Sequence, residues 1–200
     1  GPRRRFSAAD TDVEFDGKLR TEVLKLNWRP GTGLSYSLRL GTGDYELAIP
    51  SGSVTNRLRN ETPGLIWGLG VSWNLTPDTP VTPAVMLAVD YTRADYKLSR
   101  FQSGSAEAAS VRQDFSLQEM QVALSASKKW KKWDPYGGVR FFRQTACVYD
   151  RETADRVYGR RDGYAPYAGC AYRFFEREEL LVEVSGVDET LITLGVNIGF

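Results

Sequence analysis

The chain has no histidine among its 200 residues, and only two cysteines. Without imidazole there is no histidine general acid or base, no Ser-His-Asp or Cys-His triad, and few routes to a catalytic zinc. Two cysteines exclude a disulfide-dense scaffold and a four-cysteine zinc site. An excess of one charge is also missing: 26 Lys+Arg stand against 25 Asp+Glu, a net +1. That balance argues against a strongly basic nucleic-acid binder and against an acidic solvating tail. No apolar run approaches the ~20 residues of a membrane helix. With a mean hydropathy of −0.38, these absences describe a soluble protein of one domain with a sizeable core. The residues that are present overturn solubility.

They do so through period-two alternation. Leu191 to Phe200 places Ile192, Leu194, Val196, Ile198 and Phe200 on one face and Thr193, Gly195, Asn197 and Gly199 on the other. Leu65, Trp67, Leu69, Val71, Trp73 and Leu75 likewise oppose Gly68, Gly70, Ser72 and Asn74. The same rhythm runs through Leu24–Trp28, Leu34–Leu40, Val85–Tyr91, Glu119–Ala126, Gly138–Phe141, Tyr164–Phe174 and Leu180–Ser185. Alternation of this kind is the mark of a strand with one apolar side. Helical periodicity is missing throughout, so the protein is read as all-β.

The polar faces decide which kind. A soluble barrel fills its inside with large apolar groups and coats its outside with charge. Here the second face is Gly, Ala, Ser, Thr and Asn, with single charges at Lys25, Arg39, Asp90, Glu119, Arg140, Arg173 and Glu183. Small residues with isolated, pairable charges suit a narrow lumen, and the apolar face then points into lipid. The expected fold is a closed antiparallel up-and-down transmembrane β-barrel.

Connections alternate in length: Arg29–Thr32, Thr76–Thr82, Lys128–Asp134 and Glu176–Glu179 are short, whereas Pro50–Thr62, Arg100–Gln113 and Asp150–Asp162 are long. Short periplasmic turns and longer external loops give a barrel its orientation. Trp28, Trp73, Trp130, Trp133, Phe174 and Phe200 all flank the short side, as one aromatic girdle. Tyr45, Trp67, Tyr91, Phe115 and Tyr164 are candidates for the other. Nine clear strands would leave the first strand beginning outside, so residues 3–16 are expected to supply a tenth, with eight strands as the alternative. Gly1-Pro2 resembles what a protease leaves on removing a tag. The division is therefore 1–16, tag remnant and possible first strand, and 17–200, barrel domain, with both termini periplasmic.

The terminal Leu194-Gly195-Val196-Asn197-Ile198-Gly199-Phe200 resembles the carboxy-terminal β-signal of small Gram-negative outer-membrane β-barrel proteins. In that family, alternating apolar residues ending in Phe are read by the barrel-assembly machinery, which assigns the role to Leu194, Val196, Ile198 and Phe200. Gly68-Leu69-Gly70-Val71-Ser72-Trp73-Asn74-Leu75-Thr76 and Tyr136-Gly137-Gly138-Val139-Arg140-Phe141 are similar to strands of such barrels. The resemblance implies the bacterial outer membrane, with its lipid and lipopolysaccharide as partners, and no particular substrate.

Local motifs add little. Lys128-Lys129-Trp130-Lys131-Lys132-Trp133 suits an interfacial turn meeting anionic head groups better than a nucleic-acid site, which needs a wider basic surface. Arg151, Arg156, Arg160 and Arg161 form a possible anionic-ligand loop, since guanidinium forks match phosphate oxygens. Interleaved Glu152, Asp155 and Asp162 favour a self-paired loop instead. Cys147 and Cys170 are expected as free thiols. The functional expectation is a non-enzymatic outer-membrane barrel, either a structural or surface protein or a very narrow channel with a salt-bridged lumen. No catalytic residue, metal or cofactor is expected, and an envelope protein partner is possible. The alternative is a small-molecule or lipid binder, porin-like or of soluble lipocalin type.

Overall fold

The computed structural model describes residues 3–8, 11–31, 33–51, 54–103, 109–152, 154–175, 178–186 and 191–198. Its strands are β1 (Arg3–Ala8), β2 (Thr11–Trp28), β3 (Leu34–Ser51), β4 (Val54–Asn60), β5 (Gly64–Thr76) and β6 (Ala84–Ser103). They continue with β7 (Ala109–Ser127), β8 (Trp133–Asp150), β9 (Arg156–Arg173), β10 (Glu178–Ser185) and β11 (Leu191–Ile198). Every pairing is antiparallel, and, β4 and β5 apart, sequence neighbours are sheet neighbours. The sheet curls until β1 meets β9 at Ser7↔Arg160. Of residues 3–16, Arg3–Ala8 supply the extra ascending strand, β1, whereas Thr11–Asp16 begin β2 and pair with it from Arg3↔Asp16 to Ala8↔Thr11.

β4 and β5 occupy a single position, giving ten. Both lie between β3 and β6. Residues 44–45 of β3 face residues 60–63, between the pairs Gly43↔Gly64 and Glu46↔Arg59. Pro63 has no N–H for a ladder, so the strand breaks there. Asn60 bridges the break: its Oδ1 accepts from the Tyr45 amide at 2.7 Å, and its Nδ2 donates to the Thr62 carbonyl at 2.9 Å. An even excess of residues leaves inside and outside unexchanged across the break.

The expected long loops are mostly strand. β3 and β4 stay paired to Ser51↔Val54, β6 and β7 to Phe101↔Ala109, and β8 and β9 to Tyr149↔Arg156. The asymmetry of the connections is thus an overhang of paired strand at one end, here called upper. At the lower end the turns are compact, and Gly31 and Gly33 adopt positive φ of 88° and 75° in the first of them, a conformation glycine enters without strain.

Side-chain polarity divides the barrel into two storeys. In the lower storey the outward residues are apolar and exposed, among them Leu26, Leu69, Val71, Val122, Phe141, Leu180, Val182, Leu194 and Val196. In the upper storey the outward positions become Arg93, Asp95, Lys97, Asp114 and Arg143, while the inside fills with Tyr45, Leu58, Ile66, Ala94, Tyr96, Leu98, Phe115, Leu117 and Ala146. Tyr45 and Phe115 were expected in an outer girdle. They are inside, 2% and 3% exposed, because their odd numbers put them out of phase with outward Tyr36–Leu40 and Met120–Leu124. Their rings stack at 4.7 Å, with Tyr96 completing the cluster at 5.5 and 6.0 Å. Trp67 and Tyr91 remain outward, 5.6 Å apart, and Tyr164 on β9 is exposed as well.

Two substitutions separate the storeys. Leu69→Arg, in the belt, is expected to cost about 2–4 kcal/mol, as for a cation on a lipid face. Phe115→Ala is expected to cost about 3–5 kcal/mol by opening the upper core. Urea unfolding in micelles, followed by tryptophan fluorescence, measures both.

Candidate functional site: the charged lumen

The lower lumen is built in rows that cross three strands. Tyr136 on β8 and Glu183 on β10 both pair with Gly169 on β9. With no side chain at the middle position, the Tyr136 hydroxyl crosses it and donates to Glu183 Oε2 at 3.1 Å. A Cβ on Gly169 would stand 2.5 Å from the Tyr136 ring and hydroxyl. Arg140 pairs with the other oxygen of Glu183, and its guanidinium lies 4.3 Å from the centre of the Tyr167 ring.

The opposite wall repeats the device. Arg39 on β3 and Thr92 on β6 flank Gly68, while Ser37 and Asp90 flank Gly70. Arg39 reaches over these glycines to Asp90 Oδ1 at 2.6 Å and to Thr92 Oγ1 at 3.4 Å. A Cβ on Gly70 would meet Asp90 and stand 2.5 Å from Ser37 Oγ. Lys25 on β2 lies within electrostatic range of Arg39, Asp90 and Glu183. Glu119 accepts from Gln144 Nε2 at 2.6 Å. Arg173 sits lower, paired with Glu179 at 2.9 Å.

Of the charges singled out in the sequence, the structure therefore joins Arg39 to Asp90 and Arg140 to Glu183. It gives Glu119 an amide and Arg173 a different acid. Tyr136, Tyr167, Gln144 and Glu179 went unnoticed in the sequence. For Tyr136 the signal was inward Gly169; Gln144 and Glu179 are direct cross-strand neighbours of Glu119 and Arg173, which takes the register to identify.

At the lower rim, Trp28, Trp73, Trp130, Trp133 and Phe174 are exposed side chains at strand ends or turns. Trp28 rests on Tyr36 at 5.6 Å, and Trp133 on Tyr172 at 4.6 Å. Leu194 and Val196 face outward on β11. The Ile198 side chain and Phe200 lie outside what is described. The lysine-rich run forms a turn closed by hydrogen bonds between the Trp130 and Trp133 backbones. Asp78 of the neighbouring turn binds it, meeting Lys128 Nζ at 3.2 Å and the Lys129 amide at 3.2 Å. Some desolvation of Asp78 is outweighed by the Lys128 ammonium and the Lys129 amide, which hold its carboxyl below the usual carboxylate range.

The four loop arginines do not converge. Arg151 forks onto Asp114 at 2.8 Å, and Arg156 lies 5.1 Å from the centre of the Tyr149 ring. Arg160 pairs with Asp162 at 3.0 Å on the outer wall, whereas Arg161 lies 5.7 Å from the centre of the inward Phe142 ring. Cys147 and Cys170 are both free. Cys147 pairs with Tyr158 and Cys170 with Pro135, so they stand near opposite ends of the β8–β9 ladder, beyond disulfide reach.

No family model matches the chain, and no curated protein matches it. Among solved structures it is similar to the translocator domain of autotransporter NalP from Neisseria meningitidis. The TM-score is 0.54 at 12% identity, covering 100% of this chain and 74% of that one. The copper transporter OprC and the unliganded ferric citrate transporter FecA also match, at TM-scores of 0.40 and 0.41 and identities of 14% and 10%. The matches cover 92% and 86% of this chain but only 33% and 28% of those two. By fold this chain is an outer-membrane β-barrel. Its ten antiparallel strand positions and exposed apolar belt agree with that class.

Removing one partner of the Arg39–Asp90 pair is expected to cost about 3 kcal/mol, the lower end for buried pairs, with Arg39→Met/Asp90→Leu costing less than either single change. Urea titration of the three variants reads the difference. For Asp78 a depressed folded-state pKa means that the contact is complete above the ordinary carboxylate value. It is lost as pH falls through the lowered one, below about pH 4. Trp130 fluorescence is expected to change in that window, and Asp78→Asn to abolish the change.

Proposed function

We propose that the protein is a non-enzymatic integral barrel of the bacterial outer membrane with a sealed interior, serving as a structural and surface element. The observation that carries this reading is the stacking of two plugs along one axis. Paired charges line the lower lumen, and the Tyr45–Tyr96–Phe115 cluster packs inside the upper. A ten-strand barrel leaves a bore filled by side chains, and both plugs use it. In a lipocalin-type binder the apolar faces would point inward; exposed Leu69, Phe141 and Leu194 support the opposite arrangement.

The tryptophan-rich compact turns support a periplasmic lower end, toward which β11 descends. The upper overhang then projects from the cell. Its outer wall carries Arg93, Lys97, Arg143, Arg151, Arg156 and Arg160 just above the apolar belt, where lipopolysaccharide phosphates would meet them. Leu194 and Val196 would be read by the barrel-assembly machinery during insertion.

Planar-bilayer recording tests the sealed interior. The reconstituted protein is expected to show no steady single-channel steps, and the Tyr45→Ala/Tyr96→Ala/Phe115→Ala variant more leak than the parent. Regular conductance steps in the parent would establish a channel in place of the plug.

A further inference from the structure

The outer wall of the upper storey carries a hollow of about 610 Å³. The ladder arranges its lining in rows. Lys97, Asp114, Tyr149 and Arg156 stand side by side on β6, β7, β8 and β9. One row lower come Asp95, Ser116 and Cys147, and Arg93 stands below Asp95. All keep the outward parity of exposed Met120, Phe141 and Tyr164 in the belt beneath, so the hollow lies outside the bore. Ser116 and Cys147, with short side chains, make its floor. Thr62, Pro63 and Gly64, at the break between β4 and β5, wall one side.

Charge in this hollow is unequal. Four cations, Arg93, Lys97, Arg151 and Arg156, face the two carboxylates of Asp95 and Asp114. Both carboxylates are already engaged. Arg93 forks onto Asp95 at 2.9 and 3.0 Å, and Arg151 forks onto Asp114 at 2.8 Å. Lys97 neighbours Asp114 across the ladder, yet that fork turns the acid to Arg151. Arg156 lies against the Tyr149 ring and the Tyr158 hydroxyl. Among the described residues, Lys97 and Arg156 therefore pair with no carboxylate. Their backbones are three strand spacings apart, roughly 14 Å at about 4.8 Å each. Two long side chains reaching toward a phosphate between them span that gap.

We propose that the hollow binds a phosphate carried on the saccharide of an outer-leaflet glycolipid, an inference that rests on the upper storey facing out of the cell. The hollow opens sideways from the wall, so its ligand arrives from the surrounding leaflet. Height selects which one. From Tyr91, at the edge of the belt, up to Lys97 is roughly 20 Å of strand at about 3.3 Å per residue, or about 15 Å of height at a tilt of about 40°. A phospholipid carries its phosphate at the edge of the hydrocarbon and falls short. A phosphorylated sugar chain on a lipid anchor reaches that level, while its acyl chains lie along exposed Met120, Val122 and Leu124. Lys97 and Arg156 then meet the phosphate oxygens in charge-assisted hydrogen bonds, and the Ser116 hydroxyl supplies a further donor from the floor.

Cys147, a free thiol on the floor, reports on the site. The full chain with Cys170→Ala, refolded in micelles, is alkylated by a small maleimide beside one of four probes at equal phosphate concentration. These are lipopolysaccharide with phosphorylated core sugars, the same material dephosphorylated, phosphatidylglycerol, and inorganic phosphate. The first, in excess, is expected to slow alkylation by about tenfold or more, and the other three to leave it unchanged. Lys97→Gln/Arg156→Gln is expected to abolish the protection, and Arg57→Gln on β4, outside the hollow, to preserve it. Asp114→Asn, which removes a carboxylate and releases Arg151, is expected to strengthen it, a gain that misfolding does not mimic. Equal protection by any of the other three probes would overturn the phosphorylated-saccharide ligand. Protection that survives Lys97→Gln/Arg156→Gln would overturn the site. A polymer-linked maleimide too large to cross the outer membrane is expected to label Cys147 of that double variant on intact cells. Labelling only after lysis would overturn the orientation and the outer-leaflet ligand with it, whereas surface labelling without protection in micelles would overturn the site alone.

Discussion

In hydrocarbon no backbone amide can turn to water, and that requirement organises everything else in this molecule. It imposes continuous antiparallel pairing, and pairing imposes a strict alternation between a face toward lipid and a face toward the lumen. Each residue number then decides an environment. The apolar belt follows from one parity of each strand, and the glycines, hydroxyls and paired charges of the lumen follow from the other. Among the described residues the two ends of the sheet meet through β1 and β9, at Ser7↔Arg160.

Glycine does more in the lumen than leave space. Tyr136 and Glu183 meet across an intervening strand whose residue at that row, Gly169, has no side chain, and Arg39 reaches Asp90 over Gly68 and Gly70 of two adjoining inward rows. Each row thereby ties three strands through side chains as well as through the ladder. Charges that would be costly if isolated in a low-dielectric bore are matched on both walls. Lys25, near both acids, links the two groups electrostatically.

The fold was legible because its signal is local. The Leu65–Leu75 and Leu191–Phe200 alternations need no tertiary information, and the count of ten followed from strand parity once β1 was admitted. Three features were not legible. The supposed loops are paired strand, because the alternation in Pro50–Thr62 and Arg100–Gln113 carries few large apolar residues outward and so looks irregular. Tyr45 and Phe115 looked like interfacial aromatics until their phase was followed from Leu40 and Val122 into the inward set. The partners of the lumen charges lie on the neighbouring strand or one strand beyond, and a single strand does not contain that register.

The two-storey polarity has a consequence for how such a barrel enters a bilayer. On the proposed orientation, the upper storey must travel through the hydrocarbon before the belt can rest in it. Its outer wall bears Arg93, Asp95, Lys97, Asp114, Arg143 and Asp162, so the passage is opposed by charge that the finished protein never exposes to lipid. The Arg93–Asp95, Arg151–Asp114 and Arg143–Asp162 pairs lower that opposition by travelling as near-neutral couples. Ion pairs of little worth on a hydrated surface thus acquire a kinetic value, as self-neutralising cargo during insertion.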